Sequence, residues 1–205
     1  NTVNYTGKTN GTFVNNALYV ADSAVESIDG NTFDIAIPSV DVPWPEIPAG
    51  SGNYVRLPVS EGIVLKNDTG LVFANNIINL NATDIITESG YDTIYAVDVD
   101  SDNAVVDNNI IAAKGADYIY GVIVSGNNFT VSNNAIQAES DNYANGIDVE
   151  GPAEGIVVDN VIALTSPTIT YGIYNQGCRR NNIKYDSHNF IVLRWLVFFQ
   201  NRFKQ

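Results

Sequence analysis

A chain of 205 residues, 45% hydrophobic and only 16% charged, is long enough to bury one substantial core. Its formal net charge of −13 argues against a nucleic-acid partner and against electrostatic attachment to an anionic membrane; it suits a surface that meets cations or neutral sugars. The single cysteine, Cys178, excludes an internal disulfide framework. No methionine is present, even at position 1, which reads as a processed or excised piece of a longer chain, and no apolar leader is visible.

Taken in chain order, residues 1–24 read as an N-terminal cap or incomplete repeat. "VNNAL" at Val14–Leu18 copies a motif that recurs later, but lies too close to the next copy. From residue 25 the pattern becomes regular. "GNTF" at Gly30–Phe33 opens a column of asparagines, Asn31, Asn76, Asn109, Asn134 and Asn160. An apolar pair follows the later members, as in Ile77-Ile78 and Ile110-Ile111. Asparagine tolerates left-handed backbone and bonds neighbouring backbone, so it suits a sharp corner. Stacked in successive repeats, carboxamides can also bond one another as a ladder.

A second column, Ala96, Gly121, Gly146 and Gly172, is spaced by 25 or 26 residues. Each member precedes an alternating apolar segment, the signature of a strand with one buried face. Val97, Val99, Val122, Val124, Ile147 and Val149 should therefore point inward. Asp98, Asp100, Ile123, Ser125, Asp148 and Glu150 should point outward. No sustained helical stripe competes with this pattern. Short strands, sharp corners and a period near 25 residues predict an all-β parallel β-helix, each coil adding roughly 4.8 Å. The excess over that period falls in Ile37–Gly62, a proline-rich loop, and in Asn81–Asp92. At the far end "NNI", Asn181–Ile183, arrives as a sixth corner would.

Residues 178–205 differ in kind: they hold six of the ten cations, the sole His188 and half of the phenylalanines. The apolar run Asn189–Phe199 is too short to span a bilayer. It reads either as a cap over the exposed end of the core or as sequence foreign to the repeat region.

The run "YDTIYAVDVDSDNAVVDNNIIAAKGADYIYGVIVSGNNFTVSNNAI", then "YANGIDVEGPAEGIVVDNVI", resembles the large adhesin-like surface proteins of methanogenic archaea. So does "IPSVDVPWPEIP" ahead of "VSEGIVL". The resemblance extends over about residues 25–177 and fails beyond. It implies a right-handed parallel β-helix of the pectate-lyase-like type, within a secreted protein displayed at the cell surface or wall. The expected function is non-catalytic binding of a glycan or protein on a host or neighbouring cell, with no membrane insertion in this segment. The alternatives are a polysaccharide lyase or glycoside hydrolase of the same fold, and a purely structural stalk.

The sequence offers little for catalysis. A lyase needs a base beside calcium-binding carboxylates, and Arg56, Lys66 and Lys114 share no column with an acidic cluster. Asp98 and Asp148 share an outward column two repeats apart, near the separation that paired-carboxylate hydrolysis requires. "DVDSDN" at Asp98–Asn103 begins like a calcium loop, but Asn103 replaces the required glycine and Asn109 the closing glutamate. No cofactor is expected, and calcium only as an adventitious ion on Asp98, Asp100 and Asp102. Aromatic residues are the better lead. Tyr95, Tyr120 and Tyr171 share a column interrupted by Asn145, and Tyr118 with Tyr143 forms another. Such rows stack on sugars or stabilise the repeat itself. Trp44 and Tyr54, in the proline-rich segment, join Tyr120, Tyr143 and Tyr171 as candidate ligand contacts. Sequons at Asn4, Asn10, Asn67, Asn81 and Asn128 fit a secreted setting.

Overall fold

The computed structural model describes residues 1–7, 16–37, 60–82, 93–151 and 154–175, and the backbone of 183–185 and 190–194. Among these residues the protein is all-β, without a helix, and every strand pairing is parallel. The strands form an 11-stranded sheet, curled into half a barrel, and a separate 6-stranded sheet.

Three lanes of strands recur. The first holds Thr2–Thr6, Thr32–Ile37, Ile77–Ala82, the starts of Ile110–Ser125 and Ala135–Val149, Val161–Thr165 and Phe190–Arg194. The second holds Leu18–Ala21, Ser60–Lys66, Thr93–Asp100, the ends of the same two long strands, and Ile169–Asn175. Both lanes belong to the larger sheet. The third is the smaller sheet, from Ser27–Asp29 to Ile183–Tyr185.

Alternation explains why each lane has one dry face. In register, Phe33, Ile78, Ile111, Ile136 and Ile162 follow one another, and all are buried. Phe73, Val106, Val131 and Val157 do the same in the third lane. The expected inward residues Val97, Val99, Val122, Val124, Ile147 and Val149 are all fully buried. All three lanes feed a single core cluster. No repeat has enough apolar surface to close a core alone, so like must lie on like.

The glycine column is set by contact distance. A Cβ on Gly146 would stand 2.5 Å from the Gly172 carbonyl oxygen and 2.5 Å from Ile162 Cγ2; on Gly121 it would meet Gly146 and Ile136 in the same way. The register adds Gly62 at the head of this column, opposite Ala96.

The asparagine column is a hydrogen-bonded ladder. In each step the backbone N–H and the Nδ2 of one asparagine donate to Oδ1 of the next: Asn31 to Asn76, Asn76 to Asn109, Asn109 to Asn134 and Asn134 to Asn160, all at 2.9–3.2 Å. A second Nδ2 bond runs to a third-lane carbonyl, such as Asn109 to Phe73 and Asn134 to Val106, each 2.9 Å. The left-handed conformation belongs to the residue before each rung, Gly30, Asn75, Asn108, Asn133 and Asp159, with φ between 53° and 65°. Corner and buried ladder thus fall to adjacent residues, and the corner asparagines add exposed bonds between repeats, such as Asn108 Nδ2 to Asn75 Oδ1 at 2.6 Å.

Strands near both ends join the same lanes. Asn1 heads the ladder, its Nδ2 donating to Asn31 Oδ1 at 3.3 Å, whereas Ala17 and Leu18 of "VNNAL" enter the second lane. Asn181 lies outside the described residues. Ile183 stands opposite Gly155 in the third lane, and it is Phe190 that aligns with Val161 after the ladder. Residues 38–59 and 83–92, where the excess length falls, lie outside the described residues, and the chain re-enters in register at Ser60 and Thr93.

Candidate functional site

The second lane faces its core with Ile94, Ile119 and Ala144, so the residues on either side of them turn outward. Those outward places hold tyrosine in repeat after repeat. Tyr95, Tyr120, Asn145 and Tyr171 are in register, as are Tyr118 and Tyr143, the two columns read from the sequence. Their rings form one chain of contacts. Tyr95 meets Tyr120 edge-on at 5.1 Å, Tyr120 meets Tyr143 at 5.5 Å and Tyr143 meets Tyr171 at 5.6 Å between centroids. Tyr118 stacks on Tyr143 at 5.5 Å, and Tyr174 extends the row beyond Tyr171 at 5.0 Å. Each ring keeps part of its surface in solvent.

Beside this row runs a column expected to be exposed: Asp98, Ile123 and Asp148. All three are buried, at 8%, 3% and 0% exposure. Their side chains alternate away from the core yet are covered: Lys66 lies 3.2 Å from Asp98, and Asp148 is close enough to Tyr120 and Tyr143 to disfavour their ionisation. The hydroxyl of Tyr120 is pushed up to about 12 by burial, with further contributions from Tyr95, Asp148 and Glu150. Burial, then Tyr120 and Asp148, drive Tyr143 higher still. Asp100 is exposed as expected, and Ser125 and Glu150 are half-buried.

The charges at the other end of the row were misjudged from sequence. Lys66 does sit among acids, 3.2 Å from Asp98 and 4.0 Å from Glu61. Burial raises the carboxyl of Asp98 above the usual range, and Lys66 and Asp100 shift it by less than desolvation does. Burial likewise raises Glu61. For Lys66 burial acts the other way but is outweighed by Asp98 and Glu61, so the ammonium is held above its usual value. Once Gly62 is aligned with Ala96, Lys66 falls opposite Asp100. That alignment was the missing signal, hidden by the irregular spacing before Ala96.

The remaining candidates separate cleanly. Asp98 and Asp148 share a column with Ile123 between them, two strand spacings apart. Asp100 accepts a hydrogen bond from Ser125 Oγ at 2.8 Å, and Asp102 accepts from the N–H and Nδ2 of Asn127 at 2.7 and 3.0 Å. Those bonds account for the spacing of "DVDSDN", and no acidic, His or Cys cluster able to hold a metal occurs among the described residues. Asn31, Asn76, Asn109, Asn134 and Asn160 stand at a different corner, within the ladder. Trp44 and Tyr54 lie outside the described residues, as does the sequon at Asn10; the sequon asparagines Asn4, Asn67, Asn81 and Asn128 are all exposed.

Sequence reasoning missed Tyr174, which stands in register with Asp148. It also treated Asn145 as a mere interruption. Asn145 is fully buried, and neither its Oδ1 nor its Nδ2 has a hydrogen-bond partner among the described residues.

No protein-family model matches the chain, and no characterised protein or solved structure shows significant similarity to it. The resemblance to archaeal surface proteins rests on the sequence motifs alone.

Proposed function

We propose that the chain winds as a right-handed parallel β-helix, and that it serves as a non-catalytic, adhesin-like module of a secreted surface protein that binds glycan. The observation that carries this reading is the tyrosine row, unbroken ring contacts from Tyr95 to Tyr174 on the outward side of one lane. Rings side by side at the spacing of strands offer sugar residues a run of apolar faces and hydroxyl groups. The repeat supports the winding, since each lane advances by one repeat per strand and all pairings are parallel. Four exposed sequon asparagines agree with a secreted setting. The acidic balance favours neutral over anionic glycans.

A second reading, a carbohydrate-active enzyme of the same fold, is favoured by one observation, the placing of Lys66 against Asp98 and Glu61. One experiment separates the two. The chain is applied to a panel of neutral and acidic polysaccharides, with both retention and released products measured. Retention without product, reduced at least tenfold in Tyr118→Ala/Tyr171→Ala, is the expected result. Release of reducing ends or unsaturated sugars, lost in Lys66→Ala, would establish the enzyme instead. Neither retention nor product would leave a structural stalk.

A further inference from the structure

We propose that Asn145 is the floor of a closed sugar subsite, walled by Tyr120 and Tyr171 and roofed by Tyr143, which takes one neutral pyranose ring when Tyr143 swings aside. The inference rests on the glycan-binding reading above and deepens it.

The asparagines of the ladder show what this chain does with a carboxamide that serves structure. Asn76, Asn109 and Asn134 each donate twice from Nδ2 and accept through Oδ1. Asn145 makes none of these bonds, although it is equally buried. A buried amide without partners costs stability that an apolar residue or another tyrosine in the column would not. Tyr95, Tyr120 and Tyr171 show that tyrosine fits the neighbouring places of this column.

The surroundings match a sugar. Tyr120 and Tyr171 stand one strand before and one strand after Asn145, so their backbones are about 9.6 Å apart. A ring held between two aromatic faces needs roughly 4 Å on each side, about 8 Å in all. That space is now taken by Tyr143, whose ring touches both walls at 5.5 and 5.6 Å. With Tyr143 turned out, Oδ1 would accept from one hydroxyl and Nδ2 would donate to a neighbouring one. Asp148 and Glu150, near enough to disfavour ionisation of Tyr120, oppose an anionic sugar in the same place.

The test is calorimetric titration of the full chain with soluble cello- and chito-oligosaccharides and with an oligogalacturonate. Tyr143→Ala removes the roof and should bind a neutral oligomer about tenfold tighter than wild type, because the cost of opening is gone. Tyr143→Ala/Asn145→Leu should lose that gain. Asn145→Leu alone should raise Tm, since it removes the unsatisfied amide. Tyr143→Thr, a good strand former, serves as the opening variant should alanine not fold. Weaker binding in the opening variant, as a flat platform requires, would overturn the subsite while leaving the platform intact. So would unchanged affinity in the leucine double variant, or a lower Tm in Asn145→Leu. Binding by neither wild type nor the opening variant would overturn both readings.

Discussion

At the scale of single residues, tyrosines 120 and 143 couple the outward face to pH. Both hold their protons in the folded state to higher pH than a free phenol, whose ordinary value is 10.0. A group whose value is raised on folding stabilises fully below its unfolded value and loses that contribution as pH climbs through the folded one. Stability should therefore fall between about pH 10 and about pH 12 as the unfolded chain ionises first. Alkaline titration of phenolate absorbance should show a late component among the 11 tyrosines, smaller in Tyr143→Phe. The presence and register of these tyrosines were legible in the sequence. Their burial was not, and neither was that of Asp98 and Asp148. Alternation fixes which way a side chain leaves the strand, but not whether its neighbours on the next strands cover it.

At the scale of the element, two columns hold successive strands in register by different means. Asn109 accepts two hydrogen bonds from Asn76 and gives its own to Phe73 and Asn134. Asn109→Ala leaves buried groups unmatched on both sides and should cost about 3 kcal/mol in denaturant unfolding. Gly146→Ala fails for steric reasons, with the Gly172 carbonyl and Ile162 already within reach of the new methyl. Overpacking of this kind costs about 1–3 kcal/mol. Asn108→Gly, at the left-handed corner next door, should cost about 1 kcal/mol or less, because glycine adopts that conformation freely and only the exposed bond to Asn75 is lost. The asparagine column was plain in the sequence because five members share a motif. The division of labour inside "NN" was not, since both residues are asparagine and only backbone conformation and burial tell them apart. Gly62 escaped notice for another reason: the long segment before it broke the count.

At the scale of the whole molecule, 23 acidic residues face ten cations on a chain of modest size. Self-repulsion of that order destabilises the folded state and is screened by salt. Tm should therefore rise as sodium chloride is increased from about 10 mM to about 300 mM, and most steeply at the low end, where the Debye length shrinks fastest. A flat response would mean that the acids are already neutralised locally, as Asp98 is by Lys66. The three-lane order of the strands follows from the period and was readable in outline. The placing of Phe190–Arg194 against Val161–Thr165 was not, because composition changes sharply there while the backbone pairing continues.

The ladder of carboxamides has a direction. From Asn1 to Asn160 each side chain gives through nitrogen to the oxygen of its successor, with no reversal at any rung. Each rung consequently turns its oxygen toward the repeat before it and its nitrogen toward the repeat after it. A repeat laid down in the opposite sense would set like atoms against like, so the polarity of the carboxamides admits only the parallel order that the strands already share.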